Sequence, residues 1–190
     1  KPFWDAGFCA GSALAACMQG VALGAILQGI HVQGRHYAGG WWDWLSPFSV
    51  LTGLALMAGY ATLGAGWLIL KTEGELQQQA YRIARRCGIG LIVCMTAVSA
   101  ATPWLQNHYY QRWFAWPAVL ATAQVPLLVA IVAALFFYGL HRRWQRAPFL
   151  LTLALFTLSY LGLGISIYPY LVPGSITIAD AAAPASSQLF

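Results

Sequence analysis

The carboxylate side chains of this sequence all lie outside its long apolar runs. A charge buried in lipid is costly and usually functional, so an acid inside such a run would indicate a proton relay or an ion site. The acidic residues fall instead at the ends of the runs or in the segments between them: Asp5, Asp43, Glu73, Glu75 and Asp180. This placement argues against a proton relay or ion site contained wholly within the apolar runs.

Histidine and methionine are the side chains that would bind a haem iron within a membrane. The histidines lie between the apolar runs or at the end of one: His31, His36, His108 and His141. We interpret them as structural or solvated, with the alternative that a pair such as His31 and His108 binds a haem or a metal. The sequence therefore yields no catalytic residue and no metal ligand, and it leaves cofactor-binding residues unassigned.

Cysteine and glutamine are the remaining side chains in the runs that could do chemistry. The cysteines form no CxxC motif and no cluster with histidine, so we expect them to pack rather than to do redox chemistry: Cys9, Cys17, Cys87 and Cys94. Three amides lie at depth: Gln19, Gln28 and Gln124. We predict interhelical hydrogen bonds for them, worth about 1 kcal/mol each, with contact to a ligand or quinone as the alternative.

The first apolar run carries small residues at helical spacing. Gly20 and Gly24 form a GxxxG step, and Gln28 continues the same face four residues later. Gly7 and Gly11 form a second step nearer the start of the chain. Because glycine lets two helix backbones approach closely in a membrane, we predict that Gly20, Gly24 and Gln28 pack against a neighbouring helix.

These residues are positioned by five apolar runs at residues 8–30, 48–70, 87–104, 113–140 and 149–168. A helix needs roughly 20 apolar residues to cross about 30 Å of hydrocarbon, and each run comes close to that length. The composition agrees, with 59% hydrophobic residues, 8% charged residues and a mean hydropathy of +0.63. We predict an all-α polytopic transmembrane helix bundle, with residues 1–190 forming one transmembrane domain.

The basic residues predict the orientation of the bundle, because Lys and Arg near span ends are retained in the cytoplasm. All of them except Arg35 and Arg112 flank the runs on one side. We therefore place the start of the sequence on the cytoplasmic side of the membrane. The net charge of +5 then reflects topology and not nucleic-acid binding, since no soluble face remains to carry a phosphate-binding patch.

The cytoplasmic segment between the second and third runs is a candidate assembly surface. Lys71 and Glu73 lie beside an amphipathic stretch, residues 75–86, that either lies on the membrane surface or extends the third helix. Asp5 is a weaker candidate of the same kind, because an acid at a helix start also favours the helix dipole. Lys1 is not an initiator methionine and no signal sequence follows it, so we expect an internal piece of a longer chain.

Several strings of residues stand in order at the ends of the predicted spans. They are Phe3-Trp4-Asp5; Ser46-Pro47-Phe48 with Leu51-Thr52-Gly53-Leu54; Gly59-Tyr60 through Gly64 and Trp67 to Lys71-Thr72-Glu73-Gly74; and Tyr168-Pro169-Tyr170-Leu171-Val172-Pro173 before Ser175-Ile176-Thr177-Ile178. Together they resemble subunit II of the cytochrome bd-type quinol oxidases, including the cyanide-insensitive branch. The sequence departs from the family pattern at Gly174, where proline is usual, and at Ala179, where a bulkier group is common.

The resemblance implies a haem-free subunit of a membrane quinol:O2 oxidoreductase in the aerobic respiratory chain. Its partner would be a larger subunit I that carries haems b and d, oxidises quinol and reduces O2. This chain would scaffold that subunit and help to shape proton, O2 and quinone access, with quinone as a further candidate ligand and no cofactor of its own. Family members have two spans before the region matched here, including a membrane acid implicated in proton delivery.

Two other functions are compatible with the spans alone. A small-molecule membrane transporter would pair a broken helix with polar groups at the midplane, and Gln19, Gln124 and Pro126 are the residues in its favour. A purely structural membrane scaffold would need none of these residues.

Overall fold

The computed structural model describes residues 2–33, 36–114, 116, 119, 122–182 and 187. Its helices are α1 (Pro2–Gln28), α2 (Pro47–Lys71), α3 (Gly74–Ala101), α4 (Asn107–Phe114), α5 (Gln124–His141), α6 (Ala147–Ile167) and α7 (Ile178–Ala181), with a 3-10 turn at Thr102–Trp104. Two short antiparallel hairpins lie in the loops, one of β1 (Val32–Gln33) with β2 (His36–Tyr37) and one of β3 (Tyr170–Val172) with β4 (Ile176–Thr177).

Within these residues, five helices are long and apolar enough to cross a membrane. They are α1, α2, α3 with its 3-10 turn, α5 and α6. Each satisfies its own backbone hydrogen bonds, which a span in lipid requires. The predicted all-α polytopic bundle is confirmed.

The helix ends agree with the hydropathy pattern for α2 and α6 but not for the other spans. The helix α1 is described from Pro2, six residues before the predicted start of the first span. The third helix begins at Gly74 and not at 87, because the amphipathic stretch continues the same helix. The fourth span, predicted from 113, is described as a helix only from Gln124, and residues 115, 117, 118, 120 and 121 lie outside the description.

The helices α2, α3, α5 and α6 share two buried apolar clusters. The larger is formed by Ala65, Ile69, Ala80, Tyr81, Ala84, Phe136 and Leu140. The smaller is formed by Leu91, Ala133 and Leu155. Alanines at the α2–α3 contact allow these two helices to pack closely. The second half of α1 packs against α2 as well.

Large apolar side chains cover the outside of the bundle. Leu14 is 60% exposed, Val93 62%, Leu127 63% and Leu150 59%. A surface made largely of such side chains is unusual for a water-soluble domain, whereas in a membrane it faces lipid or another protein. The exposed faces therefore fit the membrane assignment and leave surface for partner helices.

Candidate interaction surfaces

The contact between α1 and α2 is built around Gly20 and Gly24. A Cβ atom at Gly20 would lie 2.6 Å from the Thr52 carbonyl oxygen and 2.7 Å from the Gly53 Cα atom. A Cβ atom at Gly24 would lie 2.6 Å from the Ser49 Cα atom and would also meet the Thr52 hydroxyl. These neighbours are mostly backbone and cannot move aside, so the two helices approach this closely only with glycine at both positions.

Hydrogen bonds reinforce this contact. The Thr52 Oγ1 hydroxyl donates to the Gly20 carbonyl oxygen at 2.8 Å, so that the polar side chain is satisfied between the helices. The Gln28 side-chain oxygen accepts a bond from the Ser46 hydroxyl. Ser46 is also the N-cap of α2, where its hydroxyl accepts from the Ser49 N–H at 3.0 Å. The structure thus places Gly20, Gly24 and Gln28 on one face of α1, against the first half of α2.

The end of α1 is capped by residues that are distant in the sequence. The side-chain amide of Gln106 donates to the Gln28 carbonyl oxygen at 2.8 Å, and the Tyr109 hydroxyl donates to the Leu27 carbonyl oxygen at 3.0 Å. The chain leaves α1 through Gly29, whose φ of +90° is strained for any residue with a side chain. Carbonyl groups in the last turn of a helix lack partners within it, and these side chains provide them.

Burial raises the pKa of the capping tyrosine above its already high ordinary value. Tyr109 is fully buried, and burial raises the pKa of its hydroxyl to about 12. The hydroxyl therefore remains a hydrogen-bond donor at any physiological pH. The sequence analysis did not single out Gln106 or Tyr109, because each caps a carbonyl group that is distant in the sequence.

The turn between α2 and α3 holds Lys71 and Glu73. Gly74 has a φ of +68°, which reverses the chain after only two residues, and the Gln77 side chain caps the end of α2. Its amide donates to the Ile69 carbonyl oxygen at 2.9 Å and to the Thr72 carbonyl oxygen at 2.8 Å. The amphipathic stretch after the turn is therefore the first half of α3, folded back against α2.

Lys71 and Glu73 are both exposed in this turn. The Lys71 ammonium group lies 5.0 Å from the centre of the Trp67 ring, a cation–π contact. Glu73 is the N-cap of α3, but its side chain makes no capping hydrogen bond. The structure brings the two residues to one tip of the bundle without a direct bond between them.

A Glu73→Gln substitution tests the assembly role that the sequence predicts for this turn. Since the Glu73 side chain is exposed and caps nothing, we expect the melting temperature of the purified full-length chain to stay unchanged. If the carboxylate contacts a partner, the yield of the assembled complex falls while that temperature holds. A wild-type yield and oxidase rate would remove the assembly role.

Asp5 lies in the first turn of α1, where a carboxylate favours the helix dipole. Residues 2–12 of α1 are exposed throughout, and a Cβ atom at Gly7 or Gly11 would meet nothing within 4 Å. The first GxxxG step therefore has no neighbour among the described residues, unlike the second. No described contact joins Asp5 to Lys71 or Glu73.

The remaining polar candidates are spread over the molecule. Gln19 accepts a 3.3 Å bond from the Tyr60 hydroxyl, whereas Gln124 lies exposed at the start of α5. His31, His36 and His141 are exposed, and the side chain of His108 lies outside the description. The described cysteines are all free thiols. Across the described ranges, no three histidine, cysteine or acidic side chains come close enough to hold a metal ion.

These spans and contacts define a polytopic helical membrane protein whose helices expose apolar faces to lipid or to partner helices. The family model for cytochrome bd terminal oxidase subunit II matches residues 1–190. The chain belongs to this family.

Individual relatives agree with the family. The chain is 35% identical over 112 residues to a probable cytochrome oxidase subunit 2 from Haemophilus influenzae, which covers 56% of this chain and 29% of the relative. It is 30% identical over 99 residues to the cytochrome bd-I ubiquinol oxidase subunit 2 of Escherichia coli K12, which covers 50% of this chain and 26% of that relative. The chain thus spans less than a third of the length of the curated relatives it matches.

Proposed function

We propose that this chain is part of a haem-free subunit of a membrane quinol:O2 oxidoreductase, a cytochrome bd-type terminal oxidase of the aerobic respiratory chain. The observation that carries the proposal is the family match over residues 1–190. The relative in Escherichia coli is named as a subunit of a ubiquinol oxidase, which supports quinol as the reductant class.

The partner in this proposal is subunit I, which carries haems b and d and catalyses the reaction. The placement of the histidines supports this division. His31 and His36 lie outside the five spans, and His141 is the exposed last residue of α5, so none of the three fits the axial ligation of a haem buried in the membrane. No step of the reaction is assigned to a residue of this chain.

The role of this chain would be to scaffold subunit I and to shape the access of protons, O2 and quinone. The exposed residues 2–12 of α1 support a scaffolding role, since their GxxxG step presents a close-packing surface with no neighbour here. The basic residues at one end of the bundle support an inner-membrane orientation with the start of the chain on the cytoplasmic side.

Deleting the full-length gene tests the proposal. Membranes from the deletion strain, with other terminal oxidases removed, should lose quinol-dependent O2 consumption and regain it on complementation. Retention of that activity would instead favour a purely structural membrane scaffold.

A further inference from the structure

Six exposed arginines lie on the first half of α3 and on the turn between α5 and α6, which contact each other through Tyr81. The arginine cluster consists of Arg82, Arg85, Arg86, Arg142, Arg143 and Arg146. The Tyr81 hydroxyl donates to the Trp144 carbonyl oxygen at 3.1 Å, and the Arg143 guanidinium lies 4.8 Å from the centre of the Tyr81 ring. Arg85 follows Tyr81 by one helical turn on the same side of α3, so this contact brings Arg85 and Arg143 into the same region.

The backbone of Arg143 is strained in a way that fixes its position. The Trp144 N–H donates to the Gly139 carbonyl oxygen at 2.9 Å, and the Arg143 N–H donates to the Leu140 carbonyl oxygen at 3.3 Å. This pair of bonds is a Schellman motif that ends α5, and Arg143 occupies its left-handed position with a φ of 57°. Glycine usually stands there, since a side chain makes this conformation unfavourable. An arginine kept at such a position suggests a use for its side chain.

The positive charge of the cluster is not neutralised within the described part of the chain. None of the six arginines forms an ion pair with a carboxylate there. Glu73 and Glu75 lie further along the bundle, at the α2–α3 turn. That turn projects about 10 Å beyond the level of Tyr81, by the helical rise from Gly74 to Tyr81. The cluster therefore carries uncompensated charge set back from the tip of the bundle.

Exposed apolar side chains continue from the cluster along the same helices. Ile89 on α3 is 50% exposed, Leu135 on α5 43% and Leu150 on α6 59%. Arginines followed along the helices by exposed apolar side chains match the two parts of a phospholipid. Its phosphate lies at the membrane interface, and its acyl chains run along the helices. A soluble anion would have no use for the apolar part.

We propose that the arginine cluster binds the headgroup phosphate of an anionic phospholipid, with Arg143 and Arg85 as its central ligands. Guanidinium groups bind phosphate oxygens through two parallel charge-assisted hydrogen bonds, which favours arginine over lysine at such a site. An anionic headgroup adds net attraction that a zwitterionic one lacks. The proposal rests on membrane insertion and not on the oxidase role, so either can fail alone.

Native mass spectrometry of the full-length protein, purified in detergent with the subunits it retains, tests this site. The protein is offered equal amounts of phosphatidylglycerol and phosphatidylcholine, and the ratio of retained lipids is measured. We expect wild-type protein to prefer phosphatidylglycerol by about fivefold, the effect of roughly one basic contact at a membrane surface. The double substitution Arg143→Gly with Arg85→Gln should bring the ratio close to one.

The controls separate binding from folding. Arg143→Gly relieves the strained backbone, so the melting temperature should hold or rise while the lipid preference falls. Arg143→Lys keeps the charge and should keep most of the preference for phosphatidylglycerol. Arg112→Gln changes a residue of α4, at the opposite end of the bundle, and should also keep that preference. A wild-type ratio near one, or an unchanged ratio in the double variant, would overturn the proposal. Complete displacement of the lipid by millimolar inorganic phosphate would also overturn it, in favour of a free-anion site.

Discussion

A Tyr109→Ala substitution is expected to destabilise the protein by about 4 kcal/mol, the range of a large aromatic side chain removed from a packed interior. Tyr109 is fully buried, and its hydroxyl bonds to the Leu27 carbonyl oxygen at the end of α1. The substitution leaves a cavity and an unpaired carbonyl group in the same place. The measurement is the shift of the unfolding midpoint of the full-length protein in detergent.

Graded and matched variants identify the cause. Tyr109→Phe keeps the ring and removes only the hydroxyl, so it should cost about 1 kcal/mol. Tyr110→Ala removes the neighbouring tyrosine, which is 51% exposed, and should shift the midpoint far less than Tyr109→Ala. Equal shifts for Tyr109→Ala and Tyr110→Ala would contradict the capping of α1 by this part of the chain.

A Gly24→Val substitution is the second prediction with a large effect. The Cβ atom alone would lie 2.6 Å from the Ser49 Cα atom, so the added side chain forces α1 away from α2. Overpacking of this kind costs about 3 kcal/mol, and the separation also weakens the bond from the Thr52 hydroxyl to the Gly20 carbonyl. We expect a lower unfolding midpoint and a lower yield of folded protein in membranes.

The control for this substitution is Gly11→Val on the same helix. It has the same cost in helix propensity, but a Cβ atom at Gly11 meets nothing within 4 Å among the described residues. The unfolding midpoint should therefore shift less for Gly11→Val than for Gly24→Val. Equal shifts of the unfolding midpoint in the two variants would contradict the close contact between α1 and α2.

The sequence predicted those parts of the fold that depend on composition and local spacing. Hydropathy located α2 and α6 to within two residues, because both are apolar along their length. Ser46 and Lys71 bound α2, and Arg146 and Pro169 bound α6. It placed the start of the third helix too late, since Arg82, Arg85 and Arg86 lower the hydropathy without interrupting the helical hydrogen bonds. The helix is held there by Tyr81 and Ala84, which are buried against neighbouring helices.

The candidate surfaces were predictable only where they follow a regular spacing. Gly20 and Gly24 could be singled out because small residues four apart define one side of a helix. The cap formed by Gln106 on Gln28 joins residues 78 apart, so no local pattern reveals it. The strained backbone of Arg143 was equally invisible, since the residue usual at that position of a helix end is glycine.

Purification of the full-length chain through an affinity tag, followed by a reduced-minus-oxidised absorbance spectrum, tests the oxidase role most directly. We expect a larger subunit to co-purify, the spectrum to show haems b and d, and the preparation to oxidise quinol with O2. Expressed without that partner, the same chain should show no haem absorbance. Stoichiometric haem in the chain alone, or purification from respiring cells without any haem protein, would contradict the account.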